Sequence, residues 1–168
     1  MCESRTVTAP TGLRPGGWNW PRAAAAPAPA PAPAGIVLGV LTNLAQGRLP
    51  DRWSQIADSG AVRSVVAFAA GAVPADRVSS VTAAVSGLCA EAGLVVGYYA
   101  CAEFGRDGMG ALSWPLVWLV MAFVAGPLFG VAGVWWRHGT AAWQRVAAIG
   151  ALTGVFGREG IHYAWTLN

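Results

Sequence analysis

One acidic residue, Glu91, lies near the middle of a long apolar stretch and is the first candidate for chemistry in this chain. A charge at the centre of a bilayer costs about 2.5–3.5 kcal/mol on insertion scales, so such a carboxyl is expected to face other helices and to find a hydrogen-bond donor there. At helical spacing it shares a face with Ser80, Ala84, Gly87 and Tyr98. Two interpretations stay open for Glu91: a proton- or cation-responsive site, and a neutral acid that hydrogen-bonds across helices for structure alone.

A second polar stripe lies in the first apolar segment, where Asn43 and Gln46 share a face with Gly39. Amide side chains hydrogen-bond between membrane helices at a modest gain, about 0.6 kcal/mol on average. Contacts between packed helices are the more common explanation for such a stripe, and a pathway for a solute is the alternative. If Asn43 or Gln46 met Glu91, the two stripes would form one polar pocket.

The third cluster contains Glu159 and His162, which are three residues apart and share a helix face. A Glu-x-x-His motif occurs in di-iron helical bundles, but those sites need a second copy and two further glutamates. This chain has one copy, and Glu91 is the only other acid expected to be buried. We therefore predict no metal site and expect Arg158 to reach outward, with Glu159 and His162 about one turn inside the membrane interface. A pH-sensing role for His162 is an alternative interpretation.

Other common chemistries lack their residues. The chain contains no lysine, which excludes a Walker A phosphate loop, and it contains no GxSxG, HExxH or Rossmann-type GxGxxG motif. Its arginines lie singly between apolar blocks, and this distribution argues against nucleic-acid binding. Cys89 and Cys101 lie on one predicted helix about 18 Å apart, beyond the reach of a disulfide. We predict neither an enzyme nor a bound cofactor.

The composition determines the class of protein. Hydrophobic residues make up 55% of the 168 residues and charged residues only 11%, whereas an ordinary soluble domain carries roughly 25% charged residues. This chain cannot cover a water-facing surface, so we predict an all-α, polytopic transmembrane helical bundle of about five helices, with the lipid bilayer as its surroundings. One transmembrane domain, 35–168, follows a disordered Pro/Ala-rich N-terminal tail, 1–34. The predicted segments are about 35–48, 60–74, 78–102, 112–136 and 140–165.

Proline and capping residues set the limits of these segments. Alternating proline in residues 23–34 (AAAAPAPAPAPA) forbids a continued helix, so the tail is predicted to be disordered. Asp51 is predicted to cap a short interfacial piece, Ser79 and Ser80 are predicted to open the third segment, and Thr140 is predicted to cap the fifth. Pro127 is expected to kink the fourth segment, because proline removes a backbone hydrogen bond.

Glycine spacing indicates how closely the helices can pack, and the arginine distribution indicates the membrane topology. GxxxG spacing allows close helix contacts, within the chain or with a homo-oligomeric or membrane partner; it occurs at Gly35/Gly39, Gly93/Gly97, Gly126/Gly130 and Gly150/Gly154. The arginines that can be assigned to one side of the membrane number six against three on the other, which predicts a cytoplasmic N-terminus.

Three stretches of the chain resemble one family: GVLTNLAQGRLPDRWSQIADSGAVRSVVAFAAGA, then WPLVWLVMAFVAGPLFGVAG followed by WWR, and GVFGREGIHYAW. They are similar to small bacterial multipass membrane proteins grouped as a domain of unknown function. The resemblance covers 35–165 and implies the bacterial cytoplasmic membrane as location. It implies no activity, cofactor or catalytic residue. Members often continue with further apolar segments, so the resemblance also implies a short member or a truncated product.

Three functional hypotheses follow from these residues. The favoured one is a protein that handles a small solute or an ion through the stripe around Glu91, because a mid-membrane acid is costly to keep for packing alone. The alternative is a non-catalytic assembly or interaction subunit that packs through its GxxxG faces. The third, an intramembrane enzyme, lacks a nucleophile–base pair in the sequence.

Overall fold

The chain is mostly α-helical over the residues described by a computed structural model, which are 31–50, 59–74, 78–105, 108 and 110–166. Within these residues there are five α-helices and no strands, as the sequence predicts. The predictions for residues 1–30 and for the Asp51 cap lie outside the described residues. The helices are α1 (Pro31–Gln46), α2 (Gly60–Ala72), α3 (Ser80–Gly105), α4 (Ser113–His138) and α5 (Ala142–Thr166).

The first helix begins earlier than its sequence indicates. We expected a disordered tail up to residue 34, but α1 starts at Pro31 and includes Pro33. Both prolines lie in the first turn, where the backbone N–H that proline lacks would have no helical partner in any case. Alternating proline therefore excludes a helix interior but not a helix start.

The starts of α3 and α5 show one correct and one incorrect cap prediction. The Ser79 hydroxyl accepts a hydrogen bond from the Thr82 backbone N–H at 3.1 Å, which confirms Ser79 as the N-cap of α3. The predicted cap at Thr140 is wrong. There, the backbone N–H of Ala141 donates to Oε1 of Gln144 at 3.2 Å, so a side chain from inside α5 satisfies the donor that precedes the helix.

The closest helix pair is α1 with α3, and glycine makes the contact possible. Gly35 and Gly39 pack against the backbone of α3, and Gly93 and Gly97 pack against the backbone of α1. A Cβ atom added at Gly39 would lie 2.7 Å from the backbone nitrogen of Tyr98, well inside normal contact. Two of the GxxxG pairs therefore form a single interface within the chain.

The other two GxxxG pairs differ from each other. Gly126 and Gly130 of α4 lie against the backbone of α3 around Gly87, and Gly130 also contacts α2. Cβ atoms added at Gly150 and Gly154 of α5 would meet nothing within 4 Å. Packing within the chain uses three of the four pairs, and association with a partner through the fourth stays a prediction.

The helices surround a central pair, α3 and α4. Helix α1 packs on α3, α2 packs on both central helices, and α5 packs on α4 and less extensively on α2. Helix α4 continues through Pro127 as one element. Helix α5 is the most exposed: of its described side chains, only Ala148 is buried.

Two of these helices, α3 and α4, are long and apolar enough to cross a membrane. Helices α1 and α2 contain 16 and 13 residues, so they extend about 24 and 20 Å against a hydrocarbon core of roughly 30 Å. Helix α5 is long enough but less apolar. The sequence predicted about five membrane-spanning helices, and the structure has five helices of which two meet this standard.

Candidate functional site

A cavity of about 510 Å³ lies between α2, α3, α4 and α5, on the side of the bundle where α2 begins and α5 ends. This volume is within the range of small-molecule sites, about 300–1,000 Å³. Its polar lining comes from three helices: Arg63, Ser64, Glu91, Arg158, Glu159, His162 and Tyr163. Its apolar walls include Trp118, Met121, Ala125, Phe129 and Val155.

Glu91 occupies the deep part of this cavity. Its side chain is 5% exposed, in agreement with the expectation that a mid-helix acid faces other helices. Its Oε2 atom is buried and accepts no hydrogen bond from the residues that the structure describes, which differs from the expected interhelical bond. A buried polar group left without a partner costs about 1–3 kcal/mol, and more when it is charged. Glu91 thus combines a place in the cavity wall with a carboxyl oxygen whose hydrogen bonding is incomplete among the described residues.

Arg63 is the second deep charge, and the sequence analysis did not select it. It lies in the first half of α2 and is 3% exposed. Its guanidinium carbon lies 4.0 Å from the centre of the Trp118 ring and 5.8 Å from that of Tyr98. Such stacking orients a guanidinium and stabilises its charge. An isolated arginine inside the apolar segment that became α2 was the available signal.

Arg63 and Glu91 interact electrostatically, and both belong to the lining of the cavity. Both side chains line it, and the positive charge of Arg63 acts electrostatically on the Glu91 carboxyl. A buried charge is tolerated when an opposite charge or a hydrogen bond compensates it. The deep end of the cavity thus presents one acidic and one basic side chain, each held by a different helix.

The polar stripe of α1 meets the stripe of α3 at Tyr98 and not at Glu91. The Tyr98 hydroxyl donates to Oε1 of Gln46 and so joins the two helices. Asn43 is 2% exposed and buried within α1's packed face. Neither Asn43 nor Gln46 lines the Glu91 cavity. Because Arg63 contacts the Tyr98 ring and also lines the cavity, it connects the two polar groups.

Glu159 has a different environment from Glu91. Its Oε2 accepts a hydrogen bond from the Ser59 hydroxyl, and its Oε1 accepts one from the Ala61 backbone N–H at 3.0 Å. Ser59 is also the N-cap of α2, since its hydroxyl oxygen accepts from the Val62 N–H at 3.3 Å. Backbone N–H groups at a helix N-terminus favour an anion. Glu159 therefore attaches α5 to the first turn of α2.

The outer part of the cavity carries Arg158 and His162. Both are exposed. The His162 ring lies 6.0 Å from the ring of Tyr163, centre to centre. Glu159 and His162 line one wall, but no group of three His, Cys, Asp or Glu residues in the described part of the chain could hold a metal ion.

The arrangement can bind a polar solute or exchange a proton. The carboxyl group of Glu91 and the stacked guanidinium of Arg63 provide an acceptor and hydrogen-bond donors in the lining of one cavity. The more exposed Arg158 and His162 lie where a solute would enter. We infer a binding site, because these groups recognise charge and hydrogen bonds.

Comparison with known proteins adds a family but no activity. A protein-family model matches residues 19–168, which include all five helices and every residue of the cavity. No curated protein and no solved structure matches the chain. The site must therefore be interpreted from its own geometry.

Proposed function

The chain belongs to the DUF6518 family, a family of unknown function, and from the site itself we propose an integral membrane protein that handles a small solute or an ion through the Glu91 cavity. One observation carries the proposal: Glu91 lines a cavity of about 510 Å³, and its buried Oε2 atom has no hydrogen bond from the described residues. A space of this size accommodates a small organic molecule.

The membrane part of the proposal rests on surface and length. The outer face of α4 exposes large apolar side chains, including Trp114, Leu116, Val120, Phe123 and Leu128. In water such a contiguous patch would drive association, whereas in a bilayer it contacts lipid. Helices α3 and α4 are also long enough to cross the hydrocarbon core. The proposal includes the bacterial cytoplasmic membrane and, from the arginine distribution, a cytoplasmic N-terminus.

The two acids that line the cavity support solute handling over a purely structural role for Glu91. Both oxygens of Glu159 accept hydrogen bonds from α2 or its cap, the pattern expected of a structural carboxylate. Glu91 is more deeply buried than Glu159, yet its Oε2 has no such bond within the described residues. A carboxyl kept only for packing would be stabilised by closing that bond, so the open oxygen favours a ligand or a proton.

A second candidate function is a non-catalytic assembly subunit. The observation that favours it is the open space over the glycines of α5, at Gly150, Gly154, Gly157 and Gly160. The GxxxG glycines of α1, α3 and α4, in contrast, pack closely against other helices. Glycine faces allow helices of different chains to approach. This candidate predicts stable co-purification with a partner or a second copy, and indifference to Glu91→Gln.

The experiment that tests solute handling is carbodiimide labelling. A hydrophobic carbodiimide, dicyclohexylcarbodiimide, reacts with a protonated carboxyl in an apolar and reachable place. Intact membranes would be labelled across a range of pH, with the modified peptide identified by mass spectrometry and Glu91→Gln as the control. We expect labelling of Glu91 that varies with pH and is lost in the control. Absence of labelling at every pH would leave the assembly function as the better proposal.

A further inference from the structure

The deep end of the Glu91 cavity carries one acidic and one basic side chain. Glu91 on α3 and Arg63 on α2 are 5% and 3% exposed, and both line the same space. The Arg63 guanidinium is held over the Trp118 ring at 4.0 Å, so its position is set before anything binds. A ligand in this space meets a fixed positive group and a carboxyl oxygen together.

This pair of charges disfavours the simplest ligands. A lone cation would meet the positive charge of Arg63, and a lone anion would meet Glu91. Hard metal ions take six or more oxygen ligands, and no cluster of three His, Cys, Asp or Glu residues occurs in the described residues. A proton alone needs no cavity of 510 Å³, a volume many times the roughly 30 Å³ that a water molecule occupies in the liquid.

The rest of the lining is apolar and indicates what the ligand carries besides charge. Met121, Ala125, Phe129 and Val155 form walls beside the charged end. Burying an apolar group against such walls is favourable because it removes apolar surface from water. An apolar substituent on the ligand would therefore add affinity.

We propose that this cavity binds a small zwitterion with an apolar side chain, of the α-amino acid type. The cationic group lies beside the Glu91 carboxyl, the anionic group lies in the positive field of Arg63, and the side chain contacts the walls around Phe129. A zwitterion matches both buried charges without adding net charge to the interior. This inference rests on the proposed solute-handling function and names its substrate class.

The first test needs no variant. The purified full chain in lipid nanodiscs is incubated with radiolabelled L-leucine, and bound ligand is measured at equilibrium. Competitors are L-leucinamide, which keeps only the cation, and N-acetyl-L-leucine, which keeps only the anion; L-methionine and L-phenylalanine test the apolar walls. We expect saturable leucine binding, with each singly charged analogue about 10- to 100-fold weaker, because each loses one interaction with a charged group.

A variant pair then assigns the cation to Glu91. Glu91→Gln should weaken leucine binding at least about tenfold, whereas Glu103→Gln, an exposed position on the same helix, should leave it unchanged. Arg63→Lys keeps the positive charge but not the planar guanidinium, and should weaken leucine binding less than Glu91→Gln does. Equal leucine binding by the Glu91→Gln and Glu103→Gln proteins would overturn the assignment.

The outcomes separate this inference from the function on which it rests. If leucinamide competes as well as leucine, the site takes a cation, and the zwitterion proposal is wrong while solute handling stands. If no amino acid binds but the carbodiimide labels Glu91, the zwitterion proposal is again wrong and an accessible ion or proton site stands. If neither binding nor labelling is observed, both proposals fail.

Discussion

Replacing Gly39 with alanine should separate α1 from α3, and its outcome can be calculated against a matched control. A Cβ atom at this position would overlap the carbonyl oxygen of Leu94 and would lie 2.7 Å from the backbone nitrogen of Tyr98. These atoms belong to a helix backbone and cannot rotate away as a flexible side chain can. Gly154 on α5 provides the control, since a Cβ atom there meets nothing within 4 Å.

The comparison isolates the cost of packing. Alanine is favoured over glycine in a helix interior by about 1 kcal/mol, and this gain applies to both variants. Forcing an extra methyl group into a well-packed interface costs typically about 1–3 kcal/mol. Gly39→Ala should therefore be less stable than Gly154→Ala by about 1–3 kcal/mol, a difference of about 5- to 150-fold in the unfolding equilibrium constant.

Stability would be measured by titrating detergent-solubilised protein with sodium dodecyl sulfate. The readout is the thiol reactivity of Cys89, a free and half-buried cysteine on α3, because it reports directly on the helix that α1 covers. The free energy of unfolding is compared between the two variants and the parent protein. Equal free energies for Gly39→Ala and Gly154→Ala would refute the close α1–α3 contact.

Two further predictions concern the polar contacts between helices. Glu159→Ala removes two hydrogen bonds to the start of α2 and should lower the free energy of unfolding by about 1.5–3 kcal/mol. Hydrogen exchange of the backbone amides in the first turn of α2 should become faster. Unchanged exchange there would contradict the attachment of α5 to α2. Tyr98→Phe removes the hydroxyl that donates to Gln46 and should cost about 0.5–1 kcal/mol. A double-mutant cycle with Gln46→Leu checks this, since the two losses should not add if the side chains are bonded to each other.

The sequence determined the local architecture. The predicted segments match the five helices to within a few residues, and Ser79 caps α3 as expected. These features depend on apolar runs and on residues within one turn of a helix end, so a short stretch of sequence contains the necessary information. The early start at Pro31 and the incorrect cap at Thr140 are errors of a single turn: proline lacks the N–H that would need a partner at a helix start, and the Gln144 side chain accepts from the Ala141 N–H.

Part of the candidate site was also readable from the sequence. Glu91 was selected because a charge in an apolar segment must face other helices, and the structure buries it. Glu159 and His162 were placed on one face by their spacing, and both line the cavity. Arg63 was missed because its position near the start of a short segment resembled that of an interfacial arginine.

The tertiary structure alone decided which of these groups meet. Ser59 and Glu159 are 100 residues apart along the chain, and Gln46 and Tyr98 are 52 apart. Arg63 and Glu91 lie on different helices and share a cavity only because α2 packs on α3. Helical periodicity shows which residues of one helix share a face. Which face packs against a neighbouring helix depends on how closely the two backbones can approach each other. Here glycine contacts between distant segments bring both α2 and α3 close to α4, and Glu91 and Arg63 line one cavity in the resulting bundle.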